Sequence, residues 1–276
     1  MVNGVEEKVK LHNGVEMPVV GFGVFKISPG NETREAVHTA LEAGYRSIDT
    51  ATYYENEEDV GAAIQKSGIP RKEIFITTKV WPEDQGYEPT LRAFERSLEK
   101  LKTDYVDLYL IHWPEKGKSV ETWRALETIY ESRQARAIGL SNYTIEHIEK
   151  LQEYWKIAPM VNQVEFHPYL QQPELISYCR KNRILVEAWA PLMRGKVLQD
   201  NAVAKLAARY GKSAAQIILR WELQKGIIVI PKSAHKERVY ENRLLFDFNL
   251  SPEDMLIMDG LDKNLRTSPD PHSIPF

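Results

Sequence analysis

The residues best suited to chemistry begin in the tract 44–61, Gly-Tyr-Arg-Ser-Ile-Asp-Thr-Ala-Thr-Tyr-Tyr-Glu-Asn-Glu-Glu-Asp-Val-Gly. A carboxylate, Asp49, closes a short apolar run, and Tyr54 follows it by five residues. Lys79 closes the next apolar run and His112 the one after. A phenol titrates near pH 10 and is a poor acid at neutral pH unless its surroundings favour the phenolate. An ammonium close by does so, and a carboxylate beside the ammonium keeps it charged and oriented. Asp49, Lys79 and Tyr54 therefore read as a relay that protonates an oxygen as negative charge develops on it, with His112 placed to hydrogen-bond and orient a carbonyl. That is one half of a carbonyl reduction; the other half is a hydride. Tyr53 offers a second phenol one residue away, but the spacing from Asp49 favours Tyr54.

The elements that position these groups follow from the hydrophobic pattern. Apolar runs at 19–22, 45–48, 74–78, 106–111, 135–140, 161–164, 185–188 and 227–230 alternate with helical stretches at 32–43, 57–66, 90–101, 120–131, 145–155, 174–181, 214–223 and 236–245. Continuous apolar strands alternating with helices imply a parallel sheet covered by helices, and eight such units make an α/β protein of the (β/α)8 TIM-barrel type. Active sites in such barrels form at the C-terminal ends of the strands. Those ends carry Asp49, Lys79, His112, Ser141 with Asn142, Gln163 with Glu165, Trp189, and Lys232 with Ser233. Any one of them could simply begin a loop; the whole series is poorly explained that way.

Ahead of the barrel, 9–11 and 15–17 flank Asn13-Gly14, which predicts a β-hairpin with a type I′ turn. Extra helices are expected at 201–210, between the seventh strand and its own helix, and at 252–261. Glu57, Glu58 and Asp59 suit the first turn of a helix. Ser213 with Gln216 reads as a capping box and Gly226 as a residue that ends a helix. The tract 131–136 lacks the glycine that would end its helix at a cost of up to about 1 kcal/mol. With no linker, repeat or low-complexity segment, one domain spanning 1–276 is the economical reading.

Composition narrows the partners. A net charge of -3 with Lys and Arg spread along the chain leaves no footprint for nucleic acid or an anionic membrane. The single cysteine, Cys179, excludes an internal disulfide and Cys-rich metal sites and reads as a small core residue. No apolar run reaches the roughly 18 residues of a membrane helix, and Met-Val-Asn-Gly-Val-Glu-Glu-Lys lacks the apolar core of a signal peptide, so a cytoplasmic protein acting on small molecules is expected. Gly21-Phe-Gly23-Val-Phe-Lys26 has Lys26 where a dinucleotide fingerprint needs its third glycine, so Val24 and Phe25 are expected at the barrel mouth instead.

Three long motifs in the correct order resemble the aldo-keto reductases over essentially the full length. They are the tract 44–61, the tract Asp104-Tyr-Val-Asp-Leu-Tyr-Leu-Ile-His-Trp-Pro114, and Ile230-Pro-Lys-Ser-Ala-His-Lys-Glu-Arg-Val-Tyr-Glu-Asn242. The chain looks most similar to the compact glyoxal and methylglyoxal reductase, 2,5-diketogluconate reductase and prostaglandin F synthase type. The resemblance implies NADPH-dependent reduction of small aldehydes, ketones and dicarbonyls, with Tyr54 as general acid, Lys79 and Asp49 tuning it, and His112 orienting the carbonyl. It implies that Ser141, Asn142 and Gln163 meet the nicotinamide carboxamide. Trp189, often a tyrosine in the family, would stack on the ring. Lys232, Ser233 and Arg238 would meet the 2′-phosphate, a pairing that suits cations and a hydroxyl, and Glu241 and Asn242 the adenine. Tyr53 stands where relatives usually carry an aliphatic residue.

Phe25, Trp81 and Trp113 are expected to form an apolar collar around the substrate. The segments 113–119 and 191–199 and the tail after Asp262 are shorter than in steroid-binding relatives, which implies an open site for small carbonyls. A monomer is expected, because the fold completes its site within one chain. Three other readings compete less well. A metal site built on His167, Glu165, His112 and Asp49 would face the charge of Lys79, so no metal is expected; a Schiff-base aldolase using Lys79 gives Asp49 and Tyr54 no reason to accompany cofactor residues; and a cofactor-sensing binding subunit would not require the complete set of catalytic groups.

Overall fold

A computed structural model of the chain describes residues 7–273; the N-terminal tract 1–6, where the leader was sought, lies outside the described residues, as do 274–276. Strands β1 (Lys8–Lys10) and β2 (Glu16–Pro18) form the expected antiparallel hairpin. Its turn differs from the expectation. Gly14 N–H donates to Leu11 O at 2.9 Å and Leu11 N–H to Val15 O at 2.8 Å, and only Gly14 takes a positive φ, of 91°. A type I′ turn needs positive φ at both central residues. Residues 12–14 instead make a three-residue loop, in which Asn13 Nδ2 donates to Arg136 O at 2.9 Å and ties the hairpin to the barrel.

Eight parallel strands follow in sequence order: β3 (Phe22–Gly23), β4 (Ser47–Asp49), β5 (Phe75–Val80), β6 (Val106–Ile111), β7 (Ala135–Ser141), β8 (Val161–Glu165), β9 (Leu185–Trp189) and β10 (Ile228–Val229). Last and first meet, because Gly21 N–H donates to Val229 O at 2.8 Å and Val229 N–H to Val19 O at 3.0 Å. Gly21 permits that approach: a Cβ there would lie 2.9 Å from Ile230 Cγ2 and 3.0 Å from Ser47 Oγ. The Gly21–Gly23 pair thus serves strand closure, and no helix begins there. Val24, expected at the mouth, is fully buried in the core, since its backbone turns with the strand end while Phe25 faces outward.

The helices are α1 (Asn31–Glu42), α2 (Glu57–Ser67), α3 (Tyr87–Leu101), α4 (Ser119–Glu131), α5 (Ile145–Gln152), α6 (Pro173–Lys181), α7 (Asn201–Tyr210), α8 (Ala214–Gln224), α9 (Lys236–Glu241) and α10 (Pro252–Asp259). α7 is the inserted helix. The Ser213–Gln216 capping box forms, and Gly226 turns the chain with φ of 74°. Where α4 lacks its glycine, Arg133 takes the left-handed conformation, with φ of 65°. α9 is shorter than its apolar pattern suggests, stopping at Glu241. No helix among the described residues is long and apolar enough to cross a membrane.

Near the N-terminal end of β6, Asp107 is buried and fully engaged. It accepts from Arg71 Nη2 and Arg136 Nη1, each at 2.8 Å, and from Ile76 N–H at 3.0 Å. Cys179 is a buried core residue of α6.

Candidate active site

Asp49 ends β4 and Lys79 lies one residue from the end of β5, so parallel pairing delivers both to the C-terminal end of the barrel. Lys79 is 0% and Asp49 2% exposed. The ammonium donates to Asp49 Oδ1 at 2.7 Å and Oδ2 at 2.9 Å and to Thr50 O at 2.9 Å, and it stands 3.5 Å from Tyr54 Oη. The turn bearing the two tyrosines is fastened from both sides. Thr50 Oγ1 donates to Asn56 Oδ1 at 2.8 Å, Asn56 Nδ2 to Val24 O at 3.2 Å, and Thr52 Oγ1 to Lys79 O at 2.9 Å. The two phenols differ in position: Tyr54 reaches Lys79, whereas Tyr53 is 52% exposed and stacks on Trp81 with ring centres 3.9 Å apart.

Burial pushes the Tyr54 phenol up to about 12, against the pull of Lys79. The sequence led us to expect a lowered value. The reason for the difference is that Asp49 cancels much of the ammonium's charge, leaving desolvation dominant. Burial also works against the Lys79 ammonium, but Asp49 and then Tyr54 outweigh it and hold its pKa above the ordinary lysine value. His112 lies edge-on to Tyr54, ring centres 5.6 Å apart, and burial followed by the charge of Lys79 holds it well below the usual imidazole range. It is a neutral ring with a buried, unpartnered Nδ1.

A cavity of about 1160 Å³ opens over these groups. Every residue predicted for the site lines it except two. Lys79 lies behind Tyr54, and Ser141 is buried with its Oγ accepting from Asn142 Nδ2 at 3.2 Å. Asn142 sits in the left-handed region, φ of 63°, which turns its side chain back toward the barrel. Its Nδ2 donates to His112 O at 2.9 Å and its Oδ1 accepts from Trp189 Nε1 at 2.9 Å. Gln163 Nε2 donates to Asp49 Oδ2 at 2.8 Å. At the far end, Lys232 and Arg238 are exposed and make no ion pair among the described residues, beside Ser233, Glu241 and Asn242. The collar is present as Phe25, Trp81 and Trp113, with Phe25 also packed 4.9 Å from the Tyr54 ring.

Sequence reasoning missed three contributors. Glu187 is buried in the middle of β9 and takes a hydrogen bond from Gln163; its signal was a carboxylate inside an apolar run, where a strand covered on both faces has no place for a charge. Tyr53 is a wall of the cavity. So is the tail, through Ser268, Pro269 and Ser273. The tail is fastened by Thr267, whose N–H donates to Glu165 Oε1 at 2.7 Å; His167 Nε2 lies 3.2 Å from that oxygen. Glu165 and His167 thus hold a strap and do not line the cavity.

An eight-stranded parallel barrel with Asp, Lys, Tyr and His gathered at its C-terminal mouth defines a carbonyl-reducing oxidoreductase. Residues 20–263 match the aldo/keto reductase family, and the chain belongs to it. It is 54% identical, over the whole of both chains, to the glyoxal reductase of Bacillus subtilis (strain 168). It is 47% identical to the methylglyoxal reductase DkgA of Yersinia pestis, covering 95% of each chain. Among solved structures, a Gox0644 variant in complex with NADPH superposes with a TM-score of 0.94 at 42% identity, covering 98% of this chain and 99% of that one.

Proposed function

We propose that the protein reduces small aldehydes, ketones and dicarbonyls such as methylglyoxal to alcohols with NADPH, and that Tyr54 is the general acid. The observation that carries this reading is one buried ammonium, Lys79, shared between the Asp49 carboxylate and the Tyr54 hydroxyl at the floor of the cavity. The names of the glyoxal and methylglyoxal reductases and the NADPH bound by the Gox0644 variant support it.

The donor set suits the dinucleotide. Asn142, Gln163 and Trp189 offer amides and an indole near the reaction centre, and the exposed cations Lys232 and Arg238 with the Ser233 hydroxyl offer a phosphate site at the other end of the same cavity. When bound, NADPH supplies a hydride for the carbonyl carbon. The rest falls to the protein. Neutral His112 orients the carbonyl oxygen, and Phe25, Trp81 and Trp113 keep water from the apolar part of the substrate. Tyr54, protonated at neutral pH, gives its proton to the oxygen as it becomes an alkoxide, a stronger base than the phenolate left behind. Lys79 then faces that phenolate and stabilises it while Asp49 holds the ammonium in place. The relay, the collar and the cofactor contacts all lie in one barrel domain, 1–276, proposed to act as a cytoplasmic monomer.

The test is consumption of NADPH, and in parallel NADH, with methylglyoxal and a substituted benzaldehyde, by wild type, Tyr54→Phe and Tyr53→Phe. Tyr54→Phe is expected to lose about 10²–10⁴-fold in kcat, the range for a positioned general acid, while Tyr53→Phe stays active. A wild-type protein that binds NADPH tightly yet turns over no carbonyl overturns the reading in favour of a cofactor-sensing subunit.

A further inference from the structure

One buried acid takes no part in the relay. Glu187 is 1% exposed and stands opposite Gln163 in the β8–β9 pairing. Gln163 Nε2 donates one hydrogen to Glu187 Oε2 at 2.6 Å and the other to Asp49 Oδ2 at 2.8 Å, while Glu187 Oε1 has no partner. Building on the reading of the cavity as an NADPH site, we propose that Glu187 is a positioning residue, which locks the Gln163 amide in the one orientation that presents an acceptor oxygen to the nicotinamide carboxamide.

The amide's orientation is forced by its neighbours. Asp49, ion-paired with Lys79, can only accept, so the NH2 end must face it and a half-turn would set Gln163 Oε1 against Asp49; the same NH2 then also donates to Glu187 Oε2. Oε1 is therefore directed away from the pair, and Gln163 lines the cavity. With Glu187 gone, a single hydrogen bond would remain to hold the amide.

The same contact ties Glu187 to the acid. The groups that face it are Asp49 from β4, Tyr54 from the turn after it, Lys79 from β5 and Gln163 from β8; β10, on its other side, brings only Ile228 and Val229. Burial and then the charge of Asp49 push the Glu187 carboxyl up to about 8, so at neutral pH it is uncharged and Asp49 and Lys79 cancel. Losing its proton adds a negative charge that opposes the Tyr54 phenolate. The reduction rate should therefore fall as pH rises through about 8, well before Tyr54 itself titrates at about 12.

Glu187→Leu and Glu187→Gln test this, with NADPH affinity read from tryptophan fluorescence and kcat for methylglyoxal followed from about pH 6 to about pH 10. The Leu variant should bind NADPH about tenfold more weakly, the worth of one strong hydrogen bond, with the carbonyl KM less affected. The Gln variant offers Gln163 a carbonyl oxygen, so it should recover most of that affinity and lack the fall centred near pH 8. A Leu variant that binds NADPH as wild type does overturns the proposal. If the Leu variant does not fold, the NADPH affinity of Gln163→Leu against that of Glu187→Gln decides: a Glu187→Gln variant that binds as weakly as Gln163→Leu overturns it. A wild-type protein without carbonyl turnover would instead sink the proposed reaction, and the contrast in NADPH affinity would still judge Glu187.

Discussion

Two buried aspartates sit at opposite ends of the barrel and are put to opposite uses. Asp107, near the start of β6, is met by two guanidinium groups and a backbone N–H, and both arginines reach solvent. Both its oxygens accept, Oδ2 from Arg71 and Ile76 and Oδ1 from Arg136, and it does not line the cavity over Tyr54. Asp49, at the end of β4, is met by a fully buried ammonium that also stands within reach of a phenol. The first arrangement ties strands and a loop together; the second sets its cation within reach of the Tyr54 hydroxyl, and Tyr54 lines a cavity that a small molecule can enter. A buried ion pair is therefore not informative by itself, and what its cation does next separates scaffold from site.

The sharpest way to break this contrast is Lys79→Met, a change of similar length that removes the charge. It should abolish measurable turnover, by about 10³-fold or more given the loss of charge stabilisation at the acid, and it should cost about 3–5 kcal/mol of stability because Asp49 is left buried without its partner. Urea melts and initial rates together check both. Asp107→Ala should do the reverse: about 2–4 kcal/mol lost in the melt, less than a sealed pair would cost because Arg71 and Arg136 can turn to water, with kcat of the folded fraction unchanged. Equal losses of kcat in the two variants would erase the distinction. The smallest effect belongs to Arg136→Ala, whose guanidinium is 43% exposed. It should cost about 1 kcal/mol or less and leave Asp107 held by Arg71 and Ile76.

Sequence alone made much of this legible. Barrel strands buried on both faces leave continuous apolar runs, and a run that stops at Asp, Lys or His marks the end where chemistry gathers. Asp107 escaped because it sits inside an apolar run, where its meaning depends on Arg71 and Arg136 arriving from other strands and loops. Glu187 escaped for the same reason, its partner Gln163 lying 24 residues earlier in the chain. The hairpin was readable from Asn13-Gly14, but its turn type was set by loop length, which propensity does not report. The raised Tyr54 pKa reflects its burial first, with Asp49 offsetting the pull of Lys79, something spacing cannot supply. The tail's share of the cavity wall has no periodic signal at all.

The cavity draws its lining from Gly23 through Ser273, and the barrel closes where Val20 meets Val229. During synthesis on a ribosome, then, no growing chain owns the whole site until its tail is made. Tyr54 and Lys79 are made early yet wait for a wall made some two hundred residues later, in the segment that Glu165 straps down. A product broken off before that segment has the relay residues but lacks the wall made by Ser268, Pro269 and Ser273, so its cavity would stand open on that side.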